Sequence, residues 1–120
     1  MPRAYAGALI ARSRSRIKFN VLYPQSEGAR FDHDYYREKH MPMVARLLGR
    51  ACLSYSIDKG LAGGAPGAPS PFFASCSVLC ESVQSLQGAL GPNAREIMAD
   101  IPNYTSVQPV VWISEVVEPR

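Results

Sequence analysis

Hydrophobic and polar residues alternate along four separate runs of this chain. Residues 16–23 (RIKFNVLY) put Ile17, Phe19, Val21 and Tyr23 on one side and Lys18, Asn20 and Leu22 on the other. This is the period of a half-buried strand, and Pro24 marks its end. Residues 51–59 (ACLSYSIDK) and 72–80 (FFASCSVLC) repeat the pattern. The last run, 108–117 (QPVVWISEVV), differs in being apolar on both parities: Val111, Ile113 and Val117 on one, Val110, Trp112 and Val116 on the other. Pro109 stands near its start, where a missing N–H is tolerable.

Two stretches carry a helical period instead. From Asp32, a good N-cap, the residues Tyr36, His40, Met43 and Leu47 recur on one face, and Gly49 suits the end of the helix. Pro42 lies inside this pattern. It removes a hydrogen bond and its ring meets the carbonyl four residues back, so a kink near residues 38–40 is expected. The second helical region is 82–100, with Val83, Leu86, Leu90, Ile97 and Met98 as its apolar positions. Gly91-Pro92 is expected to break or kink it. Residues 60–71 are rich in Gly, Pro and Ala and have no period, which is a loop.

The order is therefore β-α-β-β-α-β, the ferredoxin-like plan of the α+β class: a four-stranded antiparallel sheet with two helices on one face. The other face of such a sheet is bare. A last strand that is apolar on both sides asks for a partner, and a second copy is the simplest one, so a homodimer is expected.

At 120 residues, 47% hydrophobic and 19% charged, the chain is sized for one globular domain and has no apolar run long enough to span a bilayer. The net charge of +3 is unevenly placed. Five of the thirteen basic residues (Arg3, Arg12, Arg14, Arg16, Lys18) lie in 1–18, which hold no acid; the remainder has eight basic against ten acidic residues. The first fifteen residues thus read as a basic N-terminal extension to a domain spanning 16–118. They lack the apolar core of a secretory signal. With no basic face on the body and no aromatics between the arginines of the tail, a nucleic-acid partner is not expected, and neither is a membrane. Cys52, Cys76 and Cys80 include no CxxC pair. They read as reduced thiols of a cytoplasmic protein and offer too few neighbouring ligands for a metal site.

Among residues that could carry chemistry, His40 stands first. It lies on the buried stripe of the first helix, and imidazole is the side chain suited to proton transfer near neutrality. The plain alternative is a buried histidine that locks the Pro42 kink. Tyr36, one turn earlier on the same stripe, could hydrogen-bond the imidazole or a ligand oxygen. Tyr104 could line the same cleft, and with His40 and Tyr36 completes the candidate catalytic set. Tyr23, Cys76 and Asn103 are candidates for ligand contact. Asp100 and Asn103 also read as turn residues, Tyr35 as packing, and His33 as exposed. No Ser or Cys nucleophile with a paired base is visible.

Two segments resemble the EthD family: FDHDYYREKHMPMV at 31–44 and DIPNYTSVQPVVWISEVV at 100–117. The resemblance covers about residues 16–118. It implies a dimeric α+β barrel, in which two such sheets pack face to face, with the histidine facing a cleft between helices and sheet. Related barrels include muconolactone isomerases, polyketide cyclases and dehydratases, cofactor-free quinone-forming monooxygenases and haem-degrading monooxygenases, and fold alone does not choose among them. The expectation is a cofactor-independent enzyme moving a proton on a small apolar carbonyl, lactone or phenolic compound. The alternatives are a non-catalytic binder of a small hydrophobic metabolite and a haem-handling monooxygenase with His40 as iron ligand.

Overall fold

The computed structural model describes residues 15–119; the expected basic extension lies almost wholly outside them. Strand β1 is Ile17–Pro24, β2 Ser54–Lys59, β3 Phe72–Cys80 and β4 Val110–Glu115. They form one antiparallel sheet in the order β2-β3-β1-β4. The first helix, α1, spans 33–48, and the second, α2, is Val83–Asp100. This is the α+β ferredoxin-like plan expected from the sequence. Among the described residues no helix is long and apolar enough to cross a membrane.

Register decides which side chains meet. Ile17, Phe19, Val21 and Tyr23 of β1 stand opposite Cys80, Val78, Cys76 and Ala74 of β3, and directly opposed residues share a face. That face is buried beneath the helices with Leu86 of α2 and Val44 and Leu48 of α1. The opposite parity carries Lys18, Asn20 and Leu22, Ser75, Ser77 and Leu79, and Val110, Trp112 and Ser114. The two-faced apolar pattern of β4 therefore does not extend across the sheet. The helix-free face is largely polar, and Asn20 ties it together by donating to Ser114 Oγ (2.9 Å) and accepting from Ser77 Oγ (2.8 Å). Val110 to Ile113 are each at least 40% exposed.

Helix α1 differs from the expectation in an instructive way. It is α-helical at His33–Tyr35, π-helical at Tyr36–His40 and α-helical again at Met41–Leu48. Asp32 caps its start through Tyr35 N–H (3.0 Å). A wide turn, in which Met41 N–H reaches Tyr36 O, stands where the kink is expected and directly precedes Pro42. It also inserts one residue into the helical period. The buried stripe thus continues through Val44 and Leu48, and the expected Met43 and Leu47 are only half-buried. Gly49 ends the helix at φ 58°, a conformation that favours glycine.

Three boundaries also differ. Residues 51–53 precede β2, because a 3-10 turn at Gly49–Ala51 follows α1. Strand β4 is shorter than 108–117. Helix α2 runs uninterrupted through Gly91-Pro92. Beside the proline, Asn93 Nδ2 donates to Ala89 O (2.8 Å) and to Leu47 O (3.1 Å), which supplies a local hydrogen bond and fastens α2 to α1.

Candidate functional site

The π-helical turn of α1 and the end of α2 bring together residues far apart in the chain. The two meet partly through backbone: Asp32 N–H donates to Tyr104 O (2.7 Å), and Phe31 bridges Thr105. His40, at the end of the π turn, is 3% exposed. Its Nδ1 lies 2.9 Å from Asp100 Oδ2, and its Nε2 lies 3.2 Å from the Tyr104 hydroxyl. The Tyr104 hydroxyl is in turn 2.6 Å from that of Tyr23. Asp100 is held from its outer side, where Oδ1 accepts from Tyr35 Oη (2.7 Å) and Asn103 Nδ2 (2.8 Å). The result is one hydrogen-bonded chain from the protein surface to the interior: Tyr35 and Asn103, Asp100, His40, Tyr104, Tyr23.

Electrostatics set the protonation states along this chain. Burial disfavours the charged imidazole and pulls His40 below its ordinary pKa, against the opposing pull of Asp100. Burial would raise Asp100, but hydrogen bonds from His40, Asn103 and Tyr35 outweigh it and keep the carboxyl below its usual range. Burial pushes Tyr23, Tyr36 and Tyr104 up, so all three remain neutral phenols. At neutral pH the site is a carboxylate, a neutral imidazole and three tyrosines. Since a carboxylate only accepts, His40 Nδ1 carries the proton and Nε2 is the acceptor.

Beside this chain lies an apolar pocket of about 250 Å³ between helices and sheet. Phe19, Val21 and Val78 of the sheet and Val44, Leu90, Ile97 and Ile101 of the helical layer line it. Tyr23, Tyr36, His40 and Cys76 also border it. The exposed Met98 and Val111 stand on its solvent side. The Tyr36 ring stacks on His40 at a centroid distance of 5.5 Å. Its hydroxyl is buried close to Tyr23 and Cys76, yet no hydrogen bond of ordinary geometry satisfies it.

Of the residues singled out from sequence, His40, Tyr36, Tyr23 and Cys76 thus border one pocket. Tyr104 is wholly buried behind them and joins His40 to Tyr23. Asn103 is not at the pocket. It is an exposed residue that props Asp100, so its contact is with the site and not with a ligand lodged there. Sequence reasoning missed Asp100 as the partner of His40 and read Tyr35 as simple packing. The one signal available was that both residues sit in the two motifs already singled out. Their contact across 60 residues is a product of the fold. Both ring nitrogens of His40 are engaged, so the geometry presents neither to a haem iron, and these residues do not fit that group. Among the described residues no cluster of three or more His, Cys, Asp and Glu could hold a metal ion.

Comparison with known proteins agrees with this architecture. The structure superposes with a TM-score of 0.85 on an EthD-like protein from Ralstonia eutropha JMP134, which is 51% identical; the match covers 89% of this chain and 96% of that one. An ethyl tert-butyl ether D (EthD) family protein from Bacillus halodurans C-125 matches with a TM-score of 0.53 at 18% identity, covering 79% of this chain and 96% of that one, which is a likeness of fold alone. No curated protein matches the chain. Residues 25–108, a span that holds both helices and strands β2 and β3, match the EthD domain, and the chain belongs to the EthD family.

Proposed function

We propose that the chain is a cofactor-independent enzyme in which His40 accepts a proton from a small, neutral, mostly apolar compound held in the pocket. Carbonyl, lactone and phenolic compounds are the substrate class, and isomerisation, cyclisation and dehydration are the reactions that such a transfer would serve. One observation carries this reading: a neutral imidazole at the wall of an apolar pocket has its Nδ1–H held 2.9 Å from the Asp100 carboxylate. A carboxylate in that position fixes the tautomer and stabilises the imidazolium that forms on proton uptake. Apolar walls favour a neutral ligand, since a charged one would lose its hydration without a counter-ion.

The working form we propose is a cytoplasmic homodimer. The exposed Val110 and Trp112 on the helix-free face, with the half-buried Leu22 opposite Val110, give a second copy apolar surface to cover, and the serines around them give polar contacts for the rim. The three cysteines are unpaired, with Cys76 and Cys80 buried, which suits a reducing compartment.

Deuterium uptake by β-tetralone, an enolisable ketone of suitable size, tests the chemistry. The protein should accelerate exchange next to the carbonyl, and His40→Gln should lower that rate by about 10²–10⁴, the usual worth of one acid–base group. If the ketone binds and exchange is no faster than in buffer, the chain is a binder of small hydrophobic molecules and the enzyme reading fails.

A further inference from the structure

We infer that a bound ligand passes its proton to His40 through the hydroxyls of Tyr23 and Tyr104, so that a tyrosine and not the imidazole is the group the ligand touches. The inference rests on the reading of His40 as proton acceptor given above, and it deepens that reading. It begins from a simple obstruction. Both nitrogens of His40 have partners, Asp100 on Nδ1 and Tyr104 on Nε2, although the residue borders the pocket. A ligand cannot reach a basic nitrogen there without displacing one of those partners.

The hydrogen bonds also have a direction. Asp100 accepts from Nδ1–H, which leaves Nε2 as an acceptor for the Tyr104 O–H. With its hydrogen committed, Tyr104 Oη accepts the Tyr23 O–H across 2.6 Å. Tyr23 has then spent its own hydrogen, and its oxygen lone pairs await a donor. Tyr23 borders the pocket, whereas Tyr104 does not. The Tyr36 hydroxyl lies beside Tyr23 and Cys76 with no hydrogen bond of ordinary geometry, so the pocket end of the chain sets an acceptor next to a weakly held donor that a ligand oxygen can draw off.

Proton transfer through this chain balances without any co-reactant. The ligand hydrogen bonds to Tyr23 Oη and gives up its proton as the Tyr23 proton moves to Tyr104 and the Tyr104 proton moves to His40 Nε2. The ligand becomes an oxyanion or enolate, both tyrosines are neutral again, and the imidazolium rests against Asp100. The Tyr36 O–H is placed to donate to the new oxyanion. Such a site selects neutral phenols and enolisable carbonyl compounds, whose acidic hydrogen adjoins an oxygen function. It rejects carboxylates, because a ready-made anion has no proton to give and meets no cation. A cavity of about 150 Å³ holds benzene, so the larger pocket here has room for a substituted ring or two fused rings.

The route is testable with para-nitrophenols graded in acidity by ring halogens, together with NMR of histidine. In the unliganded protein the ¹⁵N spectrum should show a protonated Nδ1 and an unprotonated Nε2 on His40; the opposite tautomer would overturn the inference. In the wild type, nitrophenols more acidic than the His40 imidazolium should bind as phenolates while the His40 Cε1–H signal moves to its imidazolium position. Tyr104→Phe keeps the ring and breaks the chain. It should still bind the neutral probe, but phenolate formation after stopped-flow mixing should slow by about 10²-fold or more. Tyr23→Phe should do the same and covers the case in which the first variant does not fold. Transfer as fast in both folded variants as in the wild type would mean direct contact with the ligand, and the relay would be wrong. If His40 stays neutral with every probe in the wild type while ketone exchange still depends on it, the relay alone has failed. Exchange that is indifferent to His40 would instead remove the underlying reading.

Discussion

The two faces of the sheet share strands, and even neighbouring residues, but are built on different terms. Toward the helices, Tyr23 and Cys76 sit in a layer closed by Tyr36, Leu86 and Tyr104, each at most 3% exposed. On the other side, at the opposite parity of β1, β3 and β4, Asn20, Ser77 and Ser114 are joined by hydrogen bonds, and Trp112 stands half in solvent. The helix side gains stability by burying apolar surface, and it places its few polar atoms in one connected chain. The helix-free side has only its own cross-strand polar contacts. A pleated strand imposes this division, since alternate residues cannot serve the same face. The helices close the inner face over β1 and β3, whereas Val111 and Ile113 of β4 on that same face remain exposed, as do Val110 and Trp112 on the other.

Mutations that separate the faces should differ in kind as well as size. Leu86→Ala on the helix side should have the largest effect, about 2–5 kcal/mol of unfolding free energy in a denaturant titration, because a fully buried leucine leaves a cavity. A loss under 1 kcal/mol would mean that the helical layer can collapse onto the gap. Trp112→Lys should barely alter the melting of the single chain but weaken association by about 2 kcal/mol or more, as for a central interface aromatic. Sedimentation equilibrium reads this directly, and a wild type that is already monomeric at micromolar concentration would refute the dimer. Asn20→Ala should cost about 1–3 kcal/mol by leaving Ser77 and Ser114 without their shared partner. No loss would show that solvent replaces Asn20 freely on the open face.

The smallest effect expected is on the dependence of stability on pH, and it belongs to the helix side alone. The folded state holds His40 below its ordinary value of 6.5, His33 below it too through burial and the nearby Lys59, and Asp100 below 3.8. The unfolded chain therefore binds more protons as pH falls, first at the two histidines and then at the aspartate, and His40 accounts for its own share of the first decline. Stability is complete above about pH 6.5 and declines below it, with a second decline as Asp100 titrates. Besides Asp100, the side chains around the imidazole are Tyr36 and Tyr104, which stay neutral throughout this range. His40→Gln should flatten the first decline, as followed by thermal melts between neutral and mildly acidic pH. An unchanged slope would place the titrating group elsewhere.

Much of this architecture is legible in the chain because it depends on local period. The alternation in β1 and β3 marks the buried face, and the capping Asp32 and the terminal Gly49 bound the first helix. The limits of that reading are equally physical. The stripe Tyr36, His40, Met43, Leu47 assumes a constant 3.6-residue turn, and the π turn before Pro42 shifts the second half of it to Val44 and Leu48. Gly91-Pro92 looks like a break, but the helix passes through it, with Asn93 bonding to Ala89 and to the neighbouring helix.

The sequence by itself determined the order of elements, the face that β1 and β3 bury, and the presence of a histidine and tyrosines of suitable chemistry on the inner side. Those follow from side-chain period and composition, which are properties of neighbours along the chain. Only the tertiary structure decided that Asp100 would meet His40, that Tyr104 would stand between His40 and Tyr23, and that Tyr36 would keep an unpaired hydroxyl beside the pocket. These contacts join residues some 60 to 80 positions apart. A hydrogen bond is formed or lost within a few tenths of an ångström, and no pattern along the chain fixes distances of that kind. They arise when the end of α2 packs against the π turn of α1 over the first strand.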